Sequence, residues 1–203
     1  MKSVQRTFSN VCTQIEPEFF VTAQGRPYSE YKKAIELYEE QLQSALKSGD
    51  TRTAGELAGG LAYACNMLAY YLHAERGVNL EEGLAWVNRA LNELERSNLD
   101  EAMKRDHQGA YLDTRGWLYY RQGKYSEAKQ DLERALSLTM GTVYEHGHLA
   151  LTYERLAELS GSDEERSRLQ TMSREQWNLA FDLDEEGIWS AYKREHSNKT
   201  VEA

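Results

Sequence analysis

The sequence predicts an all-α fold of antiparallel helical hairpins. Three observations carry that expectation. Apolar residues recur at spacings of three and four along most of the chain, the period of one helix face. Only two prolines occur in 203 residues, and short glycine-bearing turns (KSGD, RGVN, RQGK, SGSDEE) punctuate the pattern instead. The balance of 40% hydrophobic and 28% charged residues suits a soluble, mostly helical chain with a real core.

In chain order, residues 1–26 show no sustained period. Phe8, Val11 and Ile15 share one helical face, and Phe19, Phe20 and Val21 form a short apolar cluster. The reading is a loosely ordered N-terminal arm with one docking point, ended by Gly25 and Pro27. One helical domain over 27–195 is expected next. From Tyr28 to about Lys47, the residues Tyr31, Ile35, Tyr38, Leu42 and Ala45 fall on one face, and Gly49 stands where a left-handed cap belongs. Thr51 to about Glu75 is dense in small residues, among them Ala54, Gly55, Ala58, Gly59, Gly60, Ala62 and Ala64. Adjacent glycines inside a helix cost ~1 kcal/mol each relative to alanine. Either a neighbouring helix approaches closely there and offsets the cost, or the helix kinks or breaks at Gly59–Gly60.

Leu80 to about Arg96 presents Leu80, Leu84, Val87, Leu91 and Leu94 on one face. SNLDE restarts a helix, with Asn98 as cap and Glu101 three residues on, and Gly109 divides this stretch from the helix pair at 112–138. The second helix of that pair is predicted from Lys124 to Thr139. Further helices are predicted from Gly141 to Leu159 and, behind a Ser162 cap, from Asp163 to about Leu183. A short helix over 188–194 buries Trp189 and Tyr192, and 196–203 is expected to be a disordered tail.

Leu112, Arg115, Gly116, Tyr119, Ala128, Leu132 and Ala135, with Gly123 and Tyr125 at the turn, resemble the tetratricopeptide repeat. The resemblance is best over 112–138 and looser over 63–183, and Gly116 to Ala150 spans the family's period of 34 residues. The departures are Leu112 for Trp, Arg115 for Leu and Met140 for the closing Pro. Small residues at Gly116, Ala128 and Ala135 mark where paired helices cross closely. The resemblance implies a right-handed solenoid of about three repeats plus flanking helices. It also implies a concave groove lined by the first helix of each pair, where a partner peptide or helix lies. Carried over by position, that groove takes Asn66, Tyr70 and His73, then Asp113, Trp117, Tyr120 and Arg121, then Tyr144, His148 and Arg155. Asn66 holds a slot used by the family's chaperone-tail binders, but their lysine pattern is missing.

Composition narrows the function further. A net charge of −9 disfavours nucleic acid as a partner. Cys12 and Cys65 lie far apart in unrelated contexts and read as free thiols of a reducing, cytoplasmic setting. The opening residues lack an apolar run, which argues against a secretory signal, and no stretch is long and apolar enough to span a membrane. His146 and His148 are two apart and point away from each other on a helix, and His73, His107 and His196 are scattered, so no metal is expected. Asp182, Asp184, Glu186 and Gly187 imitate a calcium loop, but Lys193 stands where its closing Glu belongs. No phosphate loop, nucleophile elbow or HExxH appears, and no cofactor is expected. The leading expectation is a non-catalytic interaction module, an adaptor or assembly scaffold binding a protein or peptide. The alternatives are an all-α enzyme or small-ligand sensor with its pocket in the concave face, and a homodimer that self-associates through the glycine-rich 54–69 helix.

Overall fold

A computed structural model describes residues 29–189. The expected arm over 1–26, the tail over 196–203 and all but the start of the 188–194 helix lie outside the described residues. Among those residues there are seven α-helices and no strand: α1 Ser29–Ser48, α2 Thr51–Leu68, α3 Leu80–Arg96, α4 Glu101–Arg121, α5 Tyr125–Leu138, α6 Val143–Leu159 and α7 Asp163–Leu183. The all-α class expected from the periodicity is therefore what folds. Two compact units divide the chain, Met1–Thr114 and Arg115–Ala203, and the division falls inside α4.

In the first unit, α1 packs on α2 and α2 on α3. The predicted face of α1 is inward, with Ile35, Tyr38, Leu42 and Ala45 buried. Gly49 ends that helix at φ +74°, where a Cβ would be strained. Asp50 then caps α2, accepting from the Thr53 amide at 3.0 Å and the Thr53 hydroxyl at 2.7 Å. α2 runs unbroken through Gly59–Gly60, so close approach, not a break, explains the glycines. A Cβ on Gly60 would come within 2.6 Å of the Tyr38 ring, and one on Gly55 within 2.9 Å of Asn98. The last turn of this helix widens into a π-helical segment, Ala69–Ala74.

Two expectations fail in the α3–α4 connection. Asn98 does not cap α4; Asp100 does, accepting from the Met103 amide at 2.9 Å. Asn98 instead spans back to α2, its side-chain amide donating to the Arg52 carbonyl at 3.1 Å and its backbone N–H to the Gly55 carbonyl at 3.3 Å. Gly109 divides nothing, since α4 is continuous through it. A single helical glycine costs too little to stop a helix whose Tyr111, Leu112 and Leu118 are buried on tertiary contacts.

In the second unit, α5 packs on α6 and α6 on α7. The end of α4 turns into α5 at Gly123, φ +77°, with Gly123 and Lys124 amides donating to the Tyr120 and Tyr119 carbonyls at 2.9 Å each. A Cβ on Gly116 would meet Leu132 at 2.7 Å and the Ala128 carbonyl at 3.2 Å, which is why this crossing requires glycine. Ala128, Leu132 and Ala135 are fully buried beneath it. Thr142 and Glu145 form a reciprocal capping box at the start of α6, and Ser162 caps α7 through the Glu165 amide. Beyond α7, the Asp184 carboxylate accepts from the Ile188 and Trp189 amides at 2.6 and 2.8 Å, turning Trp189 back onto Gly147 of α6.

Candidate protein-binding surface

The site expected from the sequence resolves into two groups with different surroundings. In the first unit, Asn66, His73 and Asp113 are buried and present no surface for a partner. Their burial follows from tertiary packing: Asn66 and His73 sit on the apolar length of α2 and the π-helical segment, not on its rim. His73 Nδ1 lies 2.7 Å from the Val78 carbonyl and so ties down the loop after the π segment. Tyr70 is half-buried and packs edge-on against Tyr71, with ring centroids 5.1 Å apart. Asn66 Oδ1 has no hydrogen-bond partner among the described residues.

The second unit brings its members together. Trp117 and Tyr120, one turn apart near the end of α4, stack at 4.6 Å and 14°. Trp117 also stacks on His148 of α6 at 4.3 Å and 12°. Tyr144, one turn before His148, lies 6.3 Å from its ring and is 41% exposed. Arg155 continues the same α6 stripe. It lies by the Tyr120 hydroxyl and pairs with Glu158 at 2.6 Å; both hold its pKa above the ordinary guanidinium value. Arg121 is exposed at the end of α4 and has no ion pair among the described residues. His148 itself is buried under the rings, so it is a spacer in the array and not a contact surface.

Sequence reading missed several members. Tyr125 closes on Tyr120 at 5.4 Å and 64°. Trp189 meets His148 edge-on at 6.3 Å and donates through Nε1 to the Val143 carbonyl at 3.0 Å. Trp177, buried, stacks on Phe181 at 5.2 Å and donates to Glu154 at 2.8 Å. The signal that could have exposed this docking was Gly147 in mid-helix: a Cβ there would come within 2.5 Å of the Trp189 ring. His146, one of the histidines expected to hold no metal, is buried, with Nδ1 2.7 Å from Gln176 Oε1.

The unexpected Arg115 in the repeat has its own explanation. Its guanidinium grips Asp131 of α5 with two bonds, Nε to Oδ2 at 2.6 Å and Nη2 to Oδ1 at 2.8 Å. That hydrogen bonding raises its pKa and replaces the apolar contact expected at this slot with a fork-to-fork pair.

Residues 109–141 match the family model described as the tetratricopeptide repeat. Over that segment the protein therefore carries a tetratricopeptide repeat, a class of helical hairpin that generally serves protein–protein interaction. No curated protein matches the chain. No helix among the described residues is long and apolar enough to cross a membrane.

Proposed function

We propose that this protein is a non-catalytic adaptor or assembly scaffold that holds a partner peptide or helix on the aromatic and cationic face of its repeat. The observation that carries the reading is the linked array Trp117, Tyr120, Tyr144 and Arg155, with Arg121 beside it. Rings already stacked lose little freedom on binding, and exposed Arg and Tyr supply the hot-spot chemistry of interfaces. Arg121, having no carboxylate of its own here, suits an acidic or carbonyl-rich partner segment. A cytoplasmic setting fits Cys65, a buried free thiol.

Self-association through α2 is not part of this reading. Gly55, Gly59 and Gly60 are covered by Asn98, Leu99 and Tyr38 of the same chain, which leaves no glycine face for a second copy.

Affinity purification from the native host, followed by Arg121→Glu with Tyr144→Ala, tests the proposal. Both side chains are exposed, so the melting temperature should stay within about 2 °C, as surface changes usually cost under ~0.5 kcal/mol. The stoichiometric partner should be lost. A partner retained by the double variant would place binding elsewhere.

A further inference from the structure

The aromatic array of the second unit continues inward from the proposed partner face. His148 is 2% exposed, and two tryptophans contact its ring. Trp117 lies nearly parallel to it at 4.3 Å, and Trp189 meets it edge-on at 6.3 Å and 86°. Trp117 in turn carries Tyr120 at 4.6 Å. One series of ring contacts therefore runs from Trp189 through His148 to the rings of the face.

Trp189 lies beyond the end of α7, in a turn. Contacts from two helices fix it there. On the α7 side, the Asp184 carboxylate accepts from the Ile188 and Trp189 amides at 2.6 and 2.8 Å, and Trp177 meets the indole edge-on at 5.4 Å. On the α6 side, the indole Nε1 donates to the Val143 carbonyl at 3.0 Å. Gly147 of α6 leaves room for the ring, since a Cβ there would lie 2.5 Å from it. A glycine in mid-helix costs stability that alanine would keep; here it admits this one side chain. A ring tied at both its backbone and its indole N–H is a rigid support for the side chain packed against it.

We infer that Trp189 is a positioning residue of the partner face. It acts through His148, whose ring it braces, and so fixes the Trp117 and Tyr120 rings that a partner meets. The inference rests on the partner face proposed above and adds that the 184–189 turn controls it.

Two variants remove the brace in different ways. Trp189→Ala deletes the ring. Gly147→Ala keeps the ring but puts a methyl group where it lies, and it raises the helix propensity of α6, which keeps the fold testable if Trp189→Ala is unstable. The first readout needs no partner: the NMR shifts of the His148 ring protons at fixed pH, which stacking on Trp117 displaces. Both variants should move them toward the values of an unstacked histidine, whereas Trp189→Phe, which retains a ring at this place, should keep them. The second readout is calorimetric titration with the protein recovered beside the wild-type chain in the purification above. Its Kd should rise about tenfold in Trp189→Ala and Gly147→Ala, the cost of ordering one or two side chains afresh at an interface. It should change little in Trp189→Phe. His148 shifts that stay in place in both variants overturn the inference. So does an unchanged Kd where Arg121→Glu with Tyr144→Ala abolishes binding. If that double variant still binds, the partner face itself is misplaced and the inference falls with it.

Discussion

The two units reach helical packing by different chemistry. The first, as described over 29–114, relies on absent side chains: α2 brings its backbone against Tyr38 and Asn98 because Gly60 and Gly55 carry no Cβ. Its polar residues Asn66, His73 and Asp113 are buried. The second, over 115–189, uses close approach too, at Gly116 and Gly147, but adds large side chains with polar ends. Trp177 reaches Glu154, Tyr153 reaches Glu133 at 2.7 Å and Arg115 reaches Asp131. Such side chains fill a core with one end and present rings and charge at the other, whereas a glycine crossing presents nothing. The ring-packed unit thus displays rings and charge at its surface, and the glycine-packed unit leaves a cavity of about 650 Å³ between α1, α2 and the α3–α4 connection.

Three measurements break or sharpen that contrast. The largest effect is expected from Trp177→Ala, which removes a 2% exposed ring stacked on Phe181 and edge-on to Trp189 at 5.4 Å. Urea unfolding should show a loss of about 3–5 kcal/mol. A loss under about 1 kcal/mol would mean that rings do not hold this unit together. Next comes Gly55→Ala. The added methyl meets Asn98 Cβ at 2.9 Å and its backbone nitrogen at 3.1 Å, so the turn itself must move. The expected cost is about 1–3 kcal/mol by the same assay; an unchanged midpoint would show that close approach is dispensable in the first unit.

The smallest effect concerns pH. His107 lies beside Tyr111 on α4, and burial lowers its pKa below the ordinary imidazole value, opposed only by Asp106. A depressed imidazole means that the unfolded chain binds more protons than the fold between the lowered pKa and ~6.5. Stability should therefore rise with pH across that window and fall as the imidazole is forced to charge. His107→Gln should flatten that slope in thermal melts at several pH values. A slope that persists in the variant would assign it to another group.

Much of this molecule is readable before folding. Helix limits at Thr51, Leu80 and Asp163 agree with the sequence because caps and apolar periods are local signals. The crossing at Gly116, Ala128 and Ala135 is equally legible, since a repeat writes its contacts at set intervals. The placement of Asn66 and His148 is not. A helical wheel says which residues share a face, but not whether another element covers that face. Arg115 looks like a defect in the repeat until Asp131, sixteen residues away, is seen opposite it.

By itself, then, the sequence determined that the described residues are helical, where most of their helices begin and end, and which small residues let the repeat close. These depend on dihedral preference, capping and a period of three to four residues. Only the tertiary structure decided that Trp189 folds onto α6, that Asn98 clasps α2, and which of the ten expected groove residues are buried and which are exposed. Those contacts join positions about forty-six apart, a separation over which no local rule operates and only packing of the assembled elements chooses.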